Sequence, residues 1–249
     1  MSTIAASRPV RISVVLPAYN AERFLGEALR SILAQSQVPD EICVVDDGST
    51  DQTSAIARST AGVRCLPVPH GGQARALNAG VDATTGDLLA FLDADDRWLP
   101  DKLARQLAAF DARHALGIVY GHARQFVEPG VPVRPGVDGR VLPARLPSAM
   151  LVRRDAWQRV GPFSSEWSVG SVVEWCARAE DAGVLSAVLD DVVYERRIHG
   201  ANTTLSHPAA AKEYLRMLKE VMDRREVRRR HGAANAVQSL ARADGERVS

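Results

Sequence analysis

Apolar positions along the first 110 residues alternate between two periods. Arg11 to Leu16 is a β-branched run that stops at Pro17 and reads as a buried strand. From Ala21 to Gln35, apolar Phe24, Leu25, Ala28, Leu29, Ile32 and Leu33 recur at helical spacing. Glu41 to Val45 is a second strand, stopped by Asp46-Asp47-Gly48-Ser49. Ser49 or Thr50 is placed to cap a helix over Gln52 to Ser59. Val63 to Val68 then reads as a strand, Gln73 to Ala83 as a helix and Leu88 to Leu92 as a fourth strand. Trp98-Leu99-Pro100 leads into a helix over Asp101 to Phe110. Strands alternating with helices predict the α/β class, with a mostly parallel sheet covered by helices on both faces.

Beyond Ile118 the rhythm weakens. Ile118 to Tyr120 and Met150 to Val152 are short strands, and Val173 to Ala182 is a helix. Val188 to Ile198 is a strand pair or one extended stretch. Glu128 to Pro147, rich in Pro and Gly, predicts a loop or ragged hairpin. Glu213 to Arg230 predicts a basic amphipathic helix with Leu215, Leu218, Val221 and Met222 on one side. Gly232 to Ser249 reads as a frayed tail. The expected organisation is one domain over 1–204, divided at about residue 110, followed by the helix and tail of 205–249.

Composition narrows the class. The chain has 249 residues, 46% hydrophobic and 24% charged, which suits one sizeable globular core and argues against disorder. A net charge of +1 gives no general attraction to nucleic acid, although Arg224, Arg225, Arg228, Arg229 and Arg230 cluster locally. Cys43, Cys65 and Cys176 are odd in number and widely spaced, so neither a disulfide framework nor a zinc site is expected. Met1 to Pro9 lacks the apolar core of a signal peptide, and no apolar stretch approaches membrane-span length. The expectation is a cytoplasmic protein. The basic helix either packs on the domain or touches the anionic inner face of the membrane.

Three polar clusters stand at predicted strand ends: Pro17-Ala18-Tyr19-Asn20, Asp46-Asp47-Gly48-Ser49 and Asp93-Ala94-Asp95-Asp96. In open α/β sheets ligands bind beyond those ends. Residues two apart in extended chain face the same way, so Asp93 and Asp95 project together. Paired carboxylates repel unless a cation or hydrogen bonds intervene, and a divalent ion shared with phosphates is one solution. The plain alternative is a solvated turn. Gly71-Gly72 before the third helix permits close approach of an anion, with Arg75 as a clamp. His70 beside them reads as a loop histidine.

Taken in order, four segments resemble the family 2 glycosyltransferases. They are Val14-Val15-Leu16-Pro17-Ala18-Tyr19-Asn20, Val44-Val45-Asp46-Asp47-Gly48-Ser49-Thr50-Asp51, Ala74-Arg75-Ala76-Leu77-Asn78-Ala79-Gly80 and Phe91-Leu92-Asp93-Ala94-Asp95-Asp96. The resemblance implies a Rossmann-like GT-A fold with a C-terminal acceptor and metal-closing segment. It also implies inverting transfer from a nucleoside-diphosphate sugar, UDP-sugar first, assisted by Mn²⁺ or Mg²⁺. Pro17, Ala18 and Tyr19 would line the nucleotide pocket and Asp47 would pair with the base. Arg75 would lie near base and diphosphate, Asp93 near the ribose, and Asp95 would hold the ion with Asp96 as a helper. Glu195 to Thr203 resembles the closing segment of some relatives, where His199 would complete the metal site and Arg197 neutralise diphosphate. A neutral imidazole suits Mn²⁺ better than Mg²⁺.

One position departs from the family. Many relatives carry Glu-Asp shortly before an arginine in the helix corresponding to Val173 to Ala182, the Asp being the base. Aligned on Arg178, the base position holds Val172. Glu174 is the nearest carboxylate and the candidate base, ahead of Glu166 and Glu180. The rivals are a nucleotidyltransferase and a non-catalytic nucleotide-sugar binder. The sequence names neither the donor sugar nor the acceptor, which ranges over a glycan, a lipid-linked group, a peptide or a small molecule.

Overall fold

The computed structural model describes residues 9–132, 135–167, 170–200 and 212–226. Asn202 and Thr203 of the closing segment, Arg228 to Arg230 of the basic run, and the tail from Gly232 lie outside the described residues.

The first half alternates as its pattern requires. β1 (Ile12–Ala18), α1 (Leu25–Leu33), β2 (Glu41–Asp46), α2 (Thr53–Ser59), β3 (Val63–Pro67), α3 (Gln73–Asp82) and β4 (Leu88–Phe91) follow in order. β5 (Arg97–Trp98), α4 (Lys102–Ala112), β6 (Leu116–Val127) and β7 (Val141–Ala144) come next. They are followed by a 3₁₀ turn (Pro147–Ala149), β8 (Leu151–Arg153), α5 (Arg154–Val160), α6 (Ser171–Asp181) and β9 (Leu185–Ile198). Residues 212–226 form a further helix, α7.

The strands make one sheet in the order β3-β2-β1-β4-β8-β6-β9-β5, with β7 beside β6. β1 pairs in parallel with both β2 and β4, and β2 with β3. The long β6–β9 pairing is also parallel, while β8, β7 and β5 join antiparallel. Because β1 lies between β2 and β4, the chain changes direction along the sheet there, which opens a crevice at the carboxyl ends.

Side-chain alternation on β1 divides the core. Ile12, Val14 and Leu16 pack with Leu25, Leu29 and Ile32 of α1 and Leu103 of α4 on one face. Val15 packs with Ala76 and Leu77 of α3, and with Trp157 and Trp175 behind them, on the other. α3 approaches the sheet so closely that a Cβ at Gly80 would collide with Val15 and Val45.

Some expectations change, and two that allowed alternatives, the hairpin at Glu128 to Pro147 and the extended stretch at Val188 to Ile198, are settled for those alternatives. Neither Ser49 nor Thr50 caps α2; the Thr53 N–H donates to Asp51 Oδ1 at 2.9 Å instead. Ser49 Oγ accepts from the Asn20 N–H, tying the loop after β1 to the loop after β2. The Glu128 to Pro147 stretch contains β7, which closes a hairpin on β6. Val188 to Ile198 belongs to one bulged strand. α5 was not expected, because in seven residues it buries only Ala156 and Trp157, too few to show a period. α7 packs through Met217 and Val221 against Trp167 and Ala177. Leu215 and Met222, expected on its packing side, are exposed.

Candidate nucleotide-sugar site

The crevice is built from loops stitched together by short polar side chains. Asp46 ends β2 and accepts the Ser49 N–H at 2.9 Å, which closes the turn around Gly48. Gly48 has φ +76, and a Cβ there would meet the His70 backbone nitrogen at 3.0 Å. Asn20 takes the left-handed conformation at φ 47 and accepts the Thr50 N–H at 2.9 Å.

Asp47 is buried and spans the next loop. Its Oδ1 accepts the Gly71 N–H at 2.8 Å and its Oδ2 the Gly72 N–H at 2.9 Å. His70 Nδ1 lies 3.0 Å from the same carboxylate, and its ring stacks on exposed Tyr19 with centroids 4.2 Å apart. Pro17 and Ala18 are buried beneath them at the end of β1. Arg75, exposed on the first turn of α3, folds its stem over Gly71. The predicted nucleotide residues of β1, β2 and α3 are thus gathered on one rim. Asp47 grips the glycine loop directly, a role that sequence reasoning did not assign to it.

β4 delivers the acidic cluster. One carboxylate oxygen from each of Asp93, Asp95 and Asp96 falls within 4.8 Å of the others. Asp93 Oδ1 accepts from Gln73 Nε2 at 2.7 Å, and Asp95 Oδ2 lies 2.9 Å from His199 Nε2. Asp96 is committed elsewhere, since Oδ1 accepts the Arg197 N–H at 2.9 Å and Oδ2 the Ser148 hydroxyl at 3.1 Å. Burial and the neighbouring Asp95 push the Asp93 carboxyl up to about 7, against the field of Arg196. Burial, with Asp95 and Asp93 beside it, raises Asp96 well above the ordinary carboxylate range. Crowded hard oxygen donors beside an imidazole fit a divalent cation.

Two predicted site residues are placed differently. Arg197 is buried, and its guanidinium pairs with Glu27 and Glu128 and donates to the Asp95 carbonyl at 2.8 Å. It lies over the rings of Phe24 and Phe126. Adjacent residues on a strand face opposite sides. Arg196, not Arg197, is accordingly the guanidinium whose field lowers Asp93 and Asp96. The sequence pointed to Arg197, and seeing that its neighbour Arg196 faces the carboxylates needed the strand's register.

Glu174 is the second correction. Its Oε1 accepts from Arg224 Nη1 at 3.0 Å and from Arg178 Nε at 3.0 Å, and Oε2 also accepts from Arg178 Nε, at 2.9 Å. The buried carboxylate anchors α7 onto α6 and is not presented as a free proton acceptor. Glu180 is likewise held by Arg145 and Arg225. Gln73 and Ser148 carry no signal in the sequence, because single polar residues at those positions have no diagnostic spacing.

Residues 13–160 match the family description "Glycosyl transferase family 2". An uncharacterized glycosyltransferase of Nostoc sp. is 30% identical over 230 residues, covering 82% of this chain and 70% of the relative. The chondroitin synthase of Pasteurella multocida is 26% identical, covering 87% of this chain but only 24% of the synthase. Among solved structures, TarS 1–349 of S. aureus in complex with UDP-GlcNAc superposes with a TM-score of 0.68 at 20% identity. That superposition covers 85% of this chain and 65% of TarS 1–349. A mannosyltransferase from Pyrobaculum calidifontis, in complex with GDP-Man and Mn²⁺, gives 0.65 at 20% identity over 86% and 64%. This chain belongs to glycosyltransferase family 2 and has the GT-A fold. It spans less than two thirds of either solved relative and about a quarter of the synthase.

Proposed function

We propose that the protein transfers a sugar with inversion from a nucleoside-diphosphate sugar, UDP-sugar first, to an acceptor hydroxyl or comparable nucleophile. The observation that carries this is the Asp93-Asp95-Asp96 cluster with His199 against Asp95, set at the carboxyl end of β4 opposite the Tyr19–Asp47–Arg75 rim. The UDP-GlcNAc bound to TarS 1–349 and the GDP-Man bound to the mannosyltransferase support the donor class, and the mannosyltransferase's Mn²⁺ supports a metal.

Asp95 and His199 would hold Mn²⁺ or Mg²⁺, with Asp93 at the same ion or at the ribose. The ion, when bound, supplies charge for the departing diphosphate. Tyr19 offers a ring face to the base, while Asp47 fixes the Gly71–Gly72 backbone beside it. Arg75 and Arg196 bring guanidinium charge toward the diphosphate, where charge grows as the glycosidic bond breaks. The acceptor attacks from the face opposite that leaving group, so position and electrostatics carry most of the rate. A peripheral contact of α7 with an anionic membrane would serve a lipid-linked acceptor; exposed Leu215 and Met222 support it.

Thermal-shift screening of nucleotide sugars with and without Mn²⁺, followed by assay of released nucleoside diphosphate, tests the reading. Release of pyrophosphate would favour a nucleotidyltransferase. Binding without any donor turnover would favour a non-catalytic binder. The anomeric configuration of the product, read by NMR, tests inversion.

A further inference from the structure

Lys102 opens α4 and is 1% exposed, yet its amine faces no carboxylate among the described residues. Buried lysines normally need a partner. Here Nζ donates to Gln106 Oε1 at 2.7 Å and to the Met150 carbonyl at 3.3 Å, and sits 4.3 Å from the Trp98 ring. Gln106 is also buried, and its Nε2 donates to the Ala149 carbonyl at 2.7 Å and the Val119 carbonyl at 3.0 Å. Trp98 Nε1 donates to the Ser148 carbonyl at 2.9 Å. Three consecutive carbonyls, those of Ser148, Ala149 and Met150, are therefore each gripped by a buried side chain from β5 or α4.

Such a grip is costly to build, because every polar group in it must be desolvated and matched. It immobilises the 3₁₀ turn of Pro147–Ala149, and that turn presents one functional atom to the acidic loop. Ser148 Oγ accepts the Asp93 N–H at 3.1 Å and donates to Asp96 Oδ2 at 3.1 Å. Asp96 in turn takes the Arg197 N–H, which fixes β9 just before His199. One hydroxyl thus sets the backbone at Asp93 and, through Asp96, the strand that carries His199.

We propose that Ser148 is a positioning residue for divalent-cation binding. The Trp98–Lys102–Gln106 grip behind it is the brace that holds its hydroxyl between Asp93 and Asp96. The proposal rests on the metal-assisted reading above. Partners behind metal ligands typically change affinity by about 10- to 100-fold when removed.

The experiment is an EPR titration of Mn²⁺ into the 249-residue chain with UDP present, with the metal-free melting temperature measured alongside. Ser148→Ala should bind Mn²⁺ about 10- to 100-fold more weakly. Ser148→Thr, which keeps the hydroxyl, should restore most of the affinity. Trp98→Phe, which releases the Ser148 carbonyl and leaves the hydroxyl in place, should weaken Mn²⁺ binding by a smaller factor and broaden the bound Mn²⁺ signal. Equal Mn²⁺ affinity in folded Ser148→Ala and wild type would overturn the proposal. If Ser148→Ala does not fold, an unchanged Mn²⁺ affinity and signal in Trp98→Phe overturns it instead. A wild-type chain that binds no Mn²⁺ removes the metal-assisted reading itself, a failure distinct from the others.

Discussion

Arg196 and Arg197 are neighbours on β9, and their predicted losses are of different kinds. Arg197→Ala removes a guanidinium that is 5% exposed and leaves Glu27 and Glu128 facing one another across the vacated space. Breaking a buried pair by removing one partner costs about 3–5 kcal/mol. The lower end applies here, because Glu128 keeps Arg23 at 2.9 Å and Glu27 keeps Arg97 at 2.5 Å. At roughly 2–4 °C per kcal/mol for a chain of this size, a loss of about 3 kcal/mol lowers the melting temperature by about 6–12 °C. Arg196→Ala leaves the Glu27–Arg197–Glu128 cluster intact and should lower it by less than Arg197→Ala does. It should instead weaken UDP binding in Mn²⁺ by about 10- to 100-fold, the worth of one or two charge-assisted hydrogen bonds. Scanning fluorimetry without ligand and calorimetric titration of UDP separate the two effects. The reverse pattern, a stable Arg197→Ala that has lost UDP and an Arg196→Ala that binds normally, would refute the side assignment of the strand.

Four other residues, Asp95, Asp93, Glu41 and Glu174, carry predictions of their own. Asp95→Ala should abolish Mn²⁺-dependent nucleotide binding while leaving the far-UV circular dichroism unchanged; donor affinity that still responds to metal would contradict it. Because Asp93 carries its proton up to about 7, Mn²⁺ affinity should rise about tenfold per pH unit below that value and level off above it. The metal-free fold should show the matching linkage: the stability Asp93 contributes is fully present below its ordinary value of 3.8 and is lost as pH rises through about 7. Glu41 is the opposite case. Burial opposes its charge, but hydrogen bonds from Ser13 and Thr85, with Arg11 nearby, draw it from 4.5 down to about 2. Glu41→Gln should therefore cost about 1–2 kcal/mol at neutral pH, a deficit that closes as pH falls from 4.5 through about 2 in urea unfolding curves. Glu174→Gln should lower the melting temperature and loosen α7 to proteolysis while turnover stays within a few-fold; a hundredfold fall in turnover with stability kept would restore it as the base.

What the sequence made legible was what repeats or what sits at a boundary. β1 to β4 and the helices between them announce themselves by period. The Pro17, Asp47 and Asp93 clusters are conspicuous because each interrupts an apolar run where a parallel strand must end. The second half lacked both signals. β9 is half-buried along most of its 14 residues, with register shifts against β6, so no clean alternation survives to say which of Arg196 and Arg197 faces the crevice. Glu174 stood out as the lone carboxylate near the expected turn of α6. One of its partners, Arg224, lies 50 residues away on a helix whose packing side the sequence placed at Leu215 and Met222, whereas Met217 and Val221 are the residues that dock. Lys102 was invisible for a related reason. A lysine at the start of a predicted helix is read as solvated, and only the packing of β5 and the Pro147–Ala149 turn around it makes it a buried donor. The strand-end carboxylates can be found from one stretch of chain, because each depends on local geometry alone. The groups that aim them come from β5, α4, the turn before β8 and the end of β9, so their role exists only once the sheet has brought those four segments together.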